Sequence, residues 1–167
     1  VGFKSRTPHI FTPEEMAAIL TAAAQLAPEG SIRPATYATL FALLVATGLR
    51  SSEALALKLE DVSEDGLIIQ ETKFRKSRLV PLHETTTQAL ERYLRLRHQL
   101  GTANKAVFVS IKGTPLCYST VVHVFLQLIR SIGLRLEPGH PGPHLHDLRH
   151  HADSRIMPSP RQMPSLS

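Results

Sequence analysis

The stretch ATGLRSSEALALKLEDV, residues 46–62, decides how the middle of the chain is expected to fold. A helix that begins after Pro34 runs into it, and Gly48 is a typical residue for ending that helix, because glycine enters the left-handed conformation without steric cost. Arg50 follows directly, and a short helix is predicted from Ser51 to Leu57. The pattern therefore places an arginine at the junction of two helices.

The composition is that of a globular domain with a basic surplus. The chain has 167 residues, of which 43% are apolar, enough for one domain with a buried core. Its 19 Lys and Arg residues against 14 Asp and Glu give a net charge of +5, which favours a polyanionic partner. Cys117 is the only cysteine, and the longest apolar stretch, 41–49, is too short to span a bilayer. We therefore expect a cytoplasmic protein with no membrane partner.

The remaining elements predict an α+β fold that is mostly α, with a small antiparallel β-hairpin or sheet. The sequence TPEE at 12–15 has the pattern of a capping box, so a helix is expected from there to about Ala27. The helix after Pro34 places its apolar residues on one face. The other expected elements are a hairpin at 67–82, helices at 85–100 and 119–132, and a strand at 107–110.

Three basic clusters are candidates for chemistry, and the first contains Arg50. Arg50 and Glu53 are three residues apart, so their side chains can share one face of the short helix. From the spacing alone, a surface ion pair at a helix start is the favoured explanation.

The second cluster, TKFRKSR at 72–78, lies at the tip of the expected hairpin. It holds Lys73, Arg75, Lys76 and Arg78 with no acidic residue among them. A solvated turn accounts for polar residues at a hairpin tip, but four positive charges in six residues also favour a phosphate-binding loop.

The third cluster, HLHDLRHH at 144–151, has His146 and Arg149 at helical spacing. Histidine-rich runs can bind metal, but zinc sites draw on separated ligands with cysteine or carboxylate partners, and no such second half is found. Taken together, the three clusters supply two arginines, a lysine and a histidine. Such a set suits a phosphodiester, because guanidinium groups bind non-bridging oxygens and a lysine can protonate a leaving oxygen.

The three clusters, in this order, resemble the motifs of the tyrosine recombinase (phage integrase) family. ATGLRSSEALALKLEDV resembles the box of the first arginine, ETKFRKSRLVPLH the hairpin with the catalytic lysine, and HLHDLRH the His-x-x-Arg box. The resemblance implies Arg50, Lys73, His146 and Arg149 as catalytic residues and Glu53 as the acid that orients them. The dense positive charge of the second cluster adds Arg75, Lys76 and Arg78 as expected contacts to DNA.

The family resemblance also implies the chemistry and the partners. In the family, a tyrosine attacks a DNA phosphodiester and forms a 3′-phosphotyrosyl link, which the 5′-hydroxyl of a partner strand later resolves. The implied partners are double-stranded DNA and other recombinase protomers, with no small-molecule substrate. No metal and no nucleotide cofactor is implied.

The end of the chain departs from the family pattern. After Arg149 the family continues with a Gly-His or Gly-Trp box and the nucleophilic tyrosine, whereas residues 150–167 contain no Gly, Trp or Tyr. The tyrosines present, Tyr37, Tyr93 and Tyr118, all come earlier, and packing is their expected role.

We therefore expect a partial catalytic domain at 12–150 that binds DNA but does not cleave it. Residues 1–11 are interpreted as a linker from an N-terminal core-binding domain, and 151–167 as a disordered tail that replaced the family sequence after a frameshift or premature stop. Two alternatives stay open: a regulatory or complementing partner of an intact recombinase, and a small helical scaffold unrelated to DNA.

Overall fold

In the computed structural model, five helices and a three-stranded antiparallel sheet form one domain; the structure describes residues 9–134 and 142–149. The helices are α1 Pro13–Ala23, α2 Arg33–Thr47, α3 Ser51–Leu55, α4 Glu84–Gln99 and α5 Tyr118–Ser131. The strands are β1 Val62–Ser63, β2 Gly66–Glu71 and β3 Lys76–Val80, in the order β1-β2-β3. The expectation of a mostly helical α+β fold with a small antiparallel sheet is confirmed. The expectations for residues 1–8, His150 and the tail lie outside the described residues.

Helix α1 begins with the predicted capping box. The Thr12 hydroxyl accepts a hydrogen bond from the Glu15 N–H at 3.0 Å, and Glu15 Oε1 accepts one from the Thr12 N–H at 2.9 Å. The helix ends at Ala23, four residues before the predicted end. The N–H groups of Gln25 and Leu26 bond to carbonyls three residues back, and the following Pro28 disfavours helical conformation at the residue before it.

Helix α2 is the centre of the core. It contacts α1, α3 and α4, and every residue from 35 to 45 is buried. The sequence predicted a single apolar face, but Ala and Thr on the other faces are buried too, because their small side chains let neighbouring helices approach closely. Gly48 ends the helix as predicted, with a φ of 71° and its N–H bonded to the Leu44 carbonyl at 3.0 Å.

The predicted hairpin is present and gains a third strand. Strands β2 and β3 pair antiparallel, with Ile69 opposite Arg78 and Glu71 opposite Lys76, and a 3-10 turn at Thr72–Phe74 joins them. The two-residue β1 pairs with β2 on its other edge. Leu67 and Ile69 point into the core, which fixes the sheet against the helices.

The predicted strand at 107–110 is wrong. Ala106 and Val109 form only isolated bridges, to Lys58 and Pro115. The buried Tyr93 hydroxyl takes the place of a neighbouring strand, since it donates to the Val107 carbonyl at 2.9 Å and accepts from the Val109 N–H at 3.2 Å. The apolar run is therefore satisfied by a side chain and by loops rather than by a ladder.

We predict that Tyr93→Phe destabilises the domain by about 1–2 kcal/mol, because two buried backbone groups lose their partner while the ring stays in place. Urea unfolding of the variant and the unmodified chain measures this difference. Tyr118→Phe is the matched control. Because Tyr118 is exposed, this variant should unfold at the same urea midpoint as the unmodified chain. Equal midpoints for all three proteins would show that the hydroxyl contributes nothing.

Candidate functional site

Arg50 stands at the N-terminal cap of α3, immediately after the turn that Gly48 makes. Its backbone is extended, and its N–H donates to Glu53 Oε1 at 2.9 Å, while its carbonyl accepts from the Ala54 N–H. Within the described residues, the exposed Arg50 guanidinium makes no hydrogen bond or ion pair. The backbone is therefore fixed, and the charged group is left available for a ligand.

Glu53 is the acid around which the other charged groups gather. Its Oε2 lies 2.9 Å from Arg78 Nη1, and the same Arg78 nitrogen contacts Glu71. Burial raises the pKa of Glu53, but the Arg50 N–H, the Arg78 hydrogen bond and the charges of Arg78 and Arg149 together hold that pKa below its ordinary value. Glu53 is thus a carboxylate at neutral pH.

The interpretation of Arg50 and Glu53 as a surface ion pair is wrong. The contact between them is a backbone cap, and the ion pair of Glu53 is with Arg78 from the hairpin. Sequence spacing identified neighbours along one helix, but it carried no information on a partner 25 residues away.

Arg149 joins this group from the far end of the chain. Its Nε donates to the Gly48 carbonyl at 2.8 Å, two residues before Arg50. The turn that precedes Arg149 is stabilised by the His144 N–H, which donates to Asp147 Oδ2 at 2.7 Å. The half-buried Arg149 is therefore positioned by a backbone contact that spans 101 positions of sequence.

His146 lies one turn before Arg149. Its side chain is exposed, and its carbonyl accepts from the Arg149 N–H at 3.1 Å. The predicted helical spacing of the two residues is present, since 147–149 are helical.

Lys73 is placed on the 3-10 turn between β2 and β3, away from these contacts. Its side chain is exposed, with Nζ 5.6 Å from the centre of the Phe74 ring. No ion pair joins it to another described residue. The structure thus gathers Arg50, Glu53 and Arg149, and adds Lys73 only through the hairpin that carries it.

The basic residues of the hairpin separate into two kinds. Arg75 and Lys76 are exposed and form no ion pair in the described part of the chain, and Arg75 has a φ of 49° at the end of the turn. Arg78, by contrast, lies in β3 rather than at the tip and contacts two carboxylates. Glu71 was the partner that the sequence interpretation missed, although it immediately precedes the basic cluster.

Over residues 9–134 and 142–149, no group of three or more His, Cys, Asp and Glu side chains is arranged to hold a metal ion. Among the described helices, none is long and apolar enough to cross a membrane.

The model of one family, the phage integrase family, matches residues 9–159, which include all three clusters. The chain belongs to this family. A putative integrase/recombinase, y4rB of Sinorhizobium fredii, is 41% identical over 155 residues, which are 88% of this chain and 49% of the relative. The chain thus spans about half the length of that relative.

Solved recombinase structures have the same fold. The XerH site-specific recombinase, in a pre-cleavage complex with its difH substrate, superposes with a TM-score of 0.70 at 25% identity, over 91% of this chain and 44% of that one. A λ integrase dimer bound to a COC′ core site gives a TM-score of 0.69 at 21% identity, over 92% and 43%. The domain is thus a tyrosine recombinase catalytic fold.

We predict that Glu53→Gln destabilises the domain near pH 7 and that the difference disappears in acid. The pKa of Glu53 is lowered in the folded protein, so its stabilisation is present above its unfolded pKa and is lost as the pH falls through the folded value. Urea unfolding at intervals from about pH 7 to about pH 3 measures the difference. A gap between variant and unmodified chain that stays constant over this range would contradict the assignment.

Proposed function

We propose that this chain is the phosphate-binding part of a DNA site-specific recombinase, which acts by transesterification at a DNA phosphodiester. One observation carries the proposal: Arg149 donates to the carbonyl of Gly48, two residues before Arg50, so an arginine from a distant segment is held at the turn that presents Arg50. Guanidinium groups held in this way suit the non-bridging oxygens of a phosphate.

Each of the other residues has a proposed role in the same step. His146 donates a hydrogen bond to the phosphate, and Lys73 protonates the departing 5′ oxygen. Glu53 orients Arg50 through its backbone. Arg75 and Lys76 contact neighbouring phosphates of the duplex, since both are exposed and without ion pairs in the described structure. No metal or nucleotide cofactor takes part in this proposal, and the proposed compartment is the cytoplasm.

We propose that these 167 residues bind DNA without cutting it. No tyrosine follows Arg149 in the 167 residues. Tyr37 and Tyr93 are buried, and the Tyr93 hydroxyl is fully engaged with the backbone. Serine and threonine are weaker substitutes, because an aliphatic alcohol ionises far above the phenol pKa of about 10.

A second candidate function is complementation of an intact recombinase. The λ integrase structure is a dimer on its core site, so recombinase protomers can bind DNA side by side. A chain that holds the arginines but lacks the tyrosine could accept a nucleophile from a neighbouring protomer. Mixing it with an intact relative whose first arginine is replaced tests this: restored cleavage supports complementation, and none supports a purely DNA-binding role.

We predict that Arg50→Ala weakens binding to duplex DNA and lowers the slope of log affinity against log salt by about 0.9, the contribution of one phosphate contact. Fluorescence anisotropy across a salt series measures both values. Lys112→Ala is the control, because this substitution removes one exposed positive charge from a loop outside the elements of the site. Equal losses for the two variants would indicate general charge attraction rather than a site.

We predict that the unmodified chain forms no covalent link to a nicked suicide duplex. The reason is the missing phenol beyond Arg149. After incubation, a denaturing gel should show free DNA only, with an active intact relative as the positive control. A protein–DNA band from this chain alone would overturn the prediction of inactivity.

A further inference from the structure

Arg78 lies where the hairpin and helix α3 meet. It belongs to β3, opposite Ile69 of β2, and its side chain is 41% exposed. Its Nη1 reaches Glu53 on α3 and Glu71 at the end of β2. One guanidinium nitrogen thus contacts carboxylates from two separate elements.

Arg78, Glu53 and Glu71 form a trio of charged groups, and its net charge bears on whether Arg78 can bind a phosphate. One positive group lies between two negative ones, so the trio carries a net charge of −1 and does not attract a phosphate. Arg75 and Lys76, on the same hairpin, have no ion pair within the described residues. Arg78 would have to leave a carboxylate to bind DNA, whereas its two neighbours would not.

The trio connects the two elements that carry Arg50 and Lys73. α3 carries Arg50 at its cap, and the hairpin carries Lys73 on its turn. A second polar link, from Gln70 Nε2 to Asp61 Oδ1 at 3.3 Å, ties the hairpin to the segment after α3. The Arg78 contact is the link that reaches α3 itself, on the residue that also caps Arg50.

We infer that Arg78 is a positioning residue: it fixes the hairpin that carries Lys73 against the helix that presents Arg50, instead of contacting DNA. This inference rests on the proposed function and differs from the sequence expectation, which placed Arg78 among the contacts to DNA. Arg78 could not be separated from Arg75 and Lys76 by sequence alone, because the two carboxylates that hold it come from outside the basic cluster.

The first test needs no DNA. The carboxyl group of Glu53 is titrated by NMR in the unmodified chain, in Arg78→Gln and in Lys76→Gln, which removes the same charge from the same strand. We expect the pKa of Glu53 to rise toward its ordinary value in Arg78→Gln and to stay unchanged in Lys76→Gln. An unchanged pKa in folded Arg78→Gln would overturn the link on which the inference depends.

The second test asks whether Glu71→Gln raises or lowers the affinity for duplex DNA. Glu71→Gln removes a negative charge, so simple electrostatics predicts tighter binding to a duplex. If Arg78 positions the hairpin, the loss of one partner loosens it, and affinity falls about two- to fivefold, the range expected for a partly exposed ion pair. Glu64→Gln, on the exposed turn before β2, is the control for charge alone and should not lower affinity.

The outcomes separate the inference from the proposed function. Weaker binding by Glu71→Gln, with no additional loss in the Arg78→Gln, Glu71→Gln double variant relative to Arg78→Gln, supports a positioning role. Tighter binding by Glu71→Gln overturns that role and returns Arg78 to the DNA contacts. If the unmodified chain binds no duplex, the proposed function falls and the role in DNA binding falls with it, while the titration still decides whether the ion pair exists.

Discussion

The carboxylate of Glu53 is the contact on which the arrangement of the site depends. One of its oxygens caps the backbone of Arg50, and the other holds Arg78 of the hairpin. Arg149, bonded to the Gly48 carbonyl, brings its charge close enough to lower the pKa of the same group. A single acid thereby relates three segments that are far apart in sequence. Because it is ionised, it can hold cations together that would otherwise repel one another.

The fold was largely predictable wherever a local signal was strong. Local residues alone predicted two helix ends: the start of α1 at the capping box of Thr12 and Glu15, and the end of α2 at Gly48. Local signals failed where tertiary contacts decide. The run at 107–110 has the composition of a strand, yet its backbone is satisfied by the hydroxyl of Tyr93, which no sequence window could reveal. The two-residue β1 carries too few positions to show a period.

The candidate site divides in the same way. The residue types and their order along the chain predicted the candidate side chains and the family, and the family match over residues 9–159 confirms the family. Partners could not be predicted, since an ion pair between Glu53 and Arg78 depends on how a hairpin packs against a helix. Arg50 and Glu53 are an example. Their spacing predicted that they are neighbours, and they are in contact, but Glu53 accepts from the Arg50 backbone N–H instead of pairing with its guanidinium.

We propose that Arg50, Lys73, His146 and Arg149 converge on one phosphate. A crystal structure of the chain bound to duplex DNA would decide this. We expect one backbone phosphate within hydrogen-bond distance of both arginine side chains, with Lys73 and His146 at its edge and Glu53 still holding Arg78. A complex in which the duplex lies on another face, with Arg50 and Arg149 pointing to solvent, would contradict it.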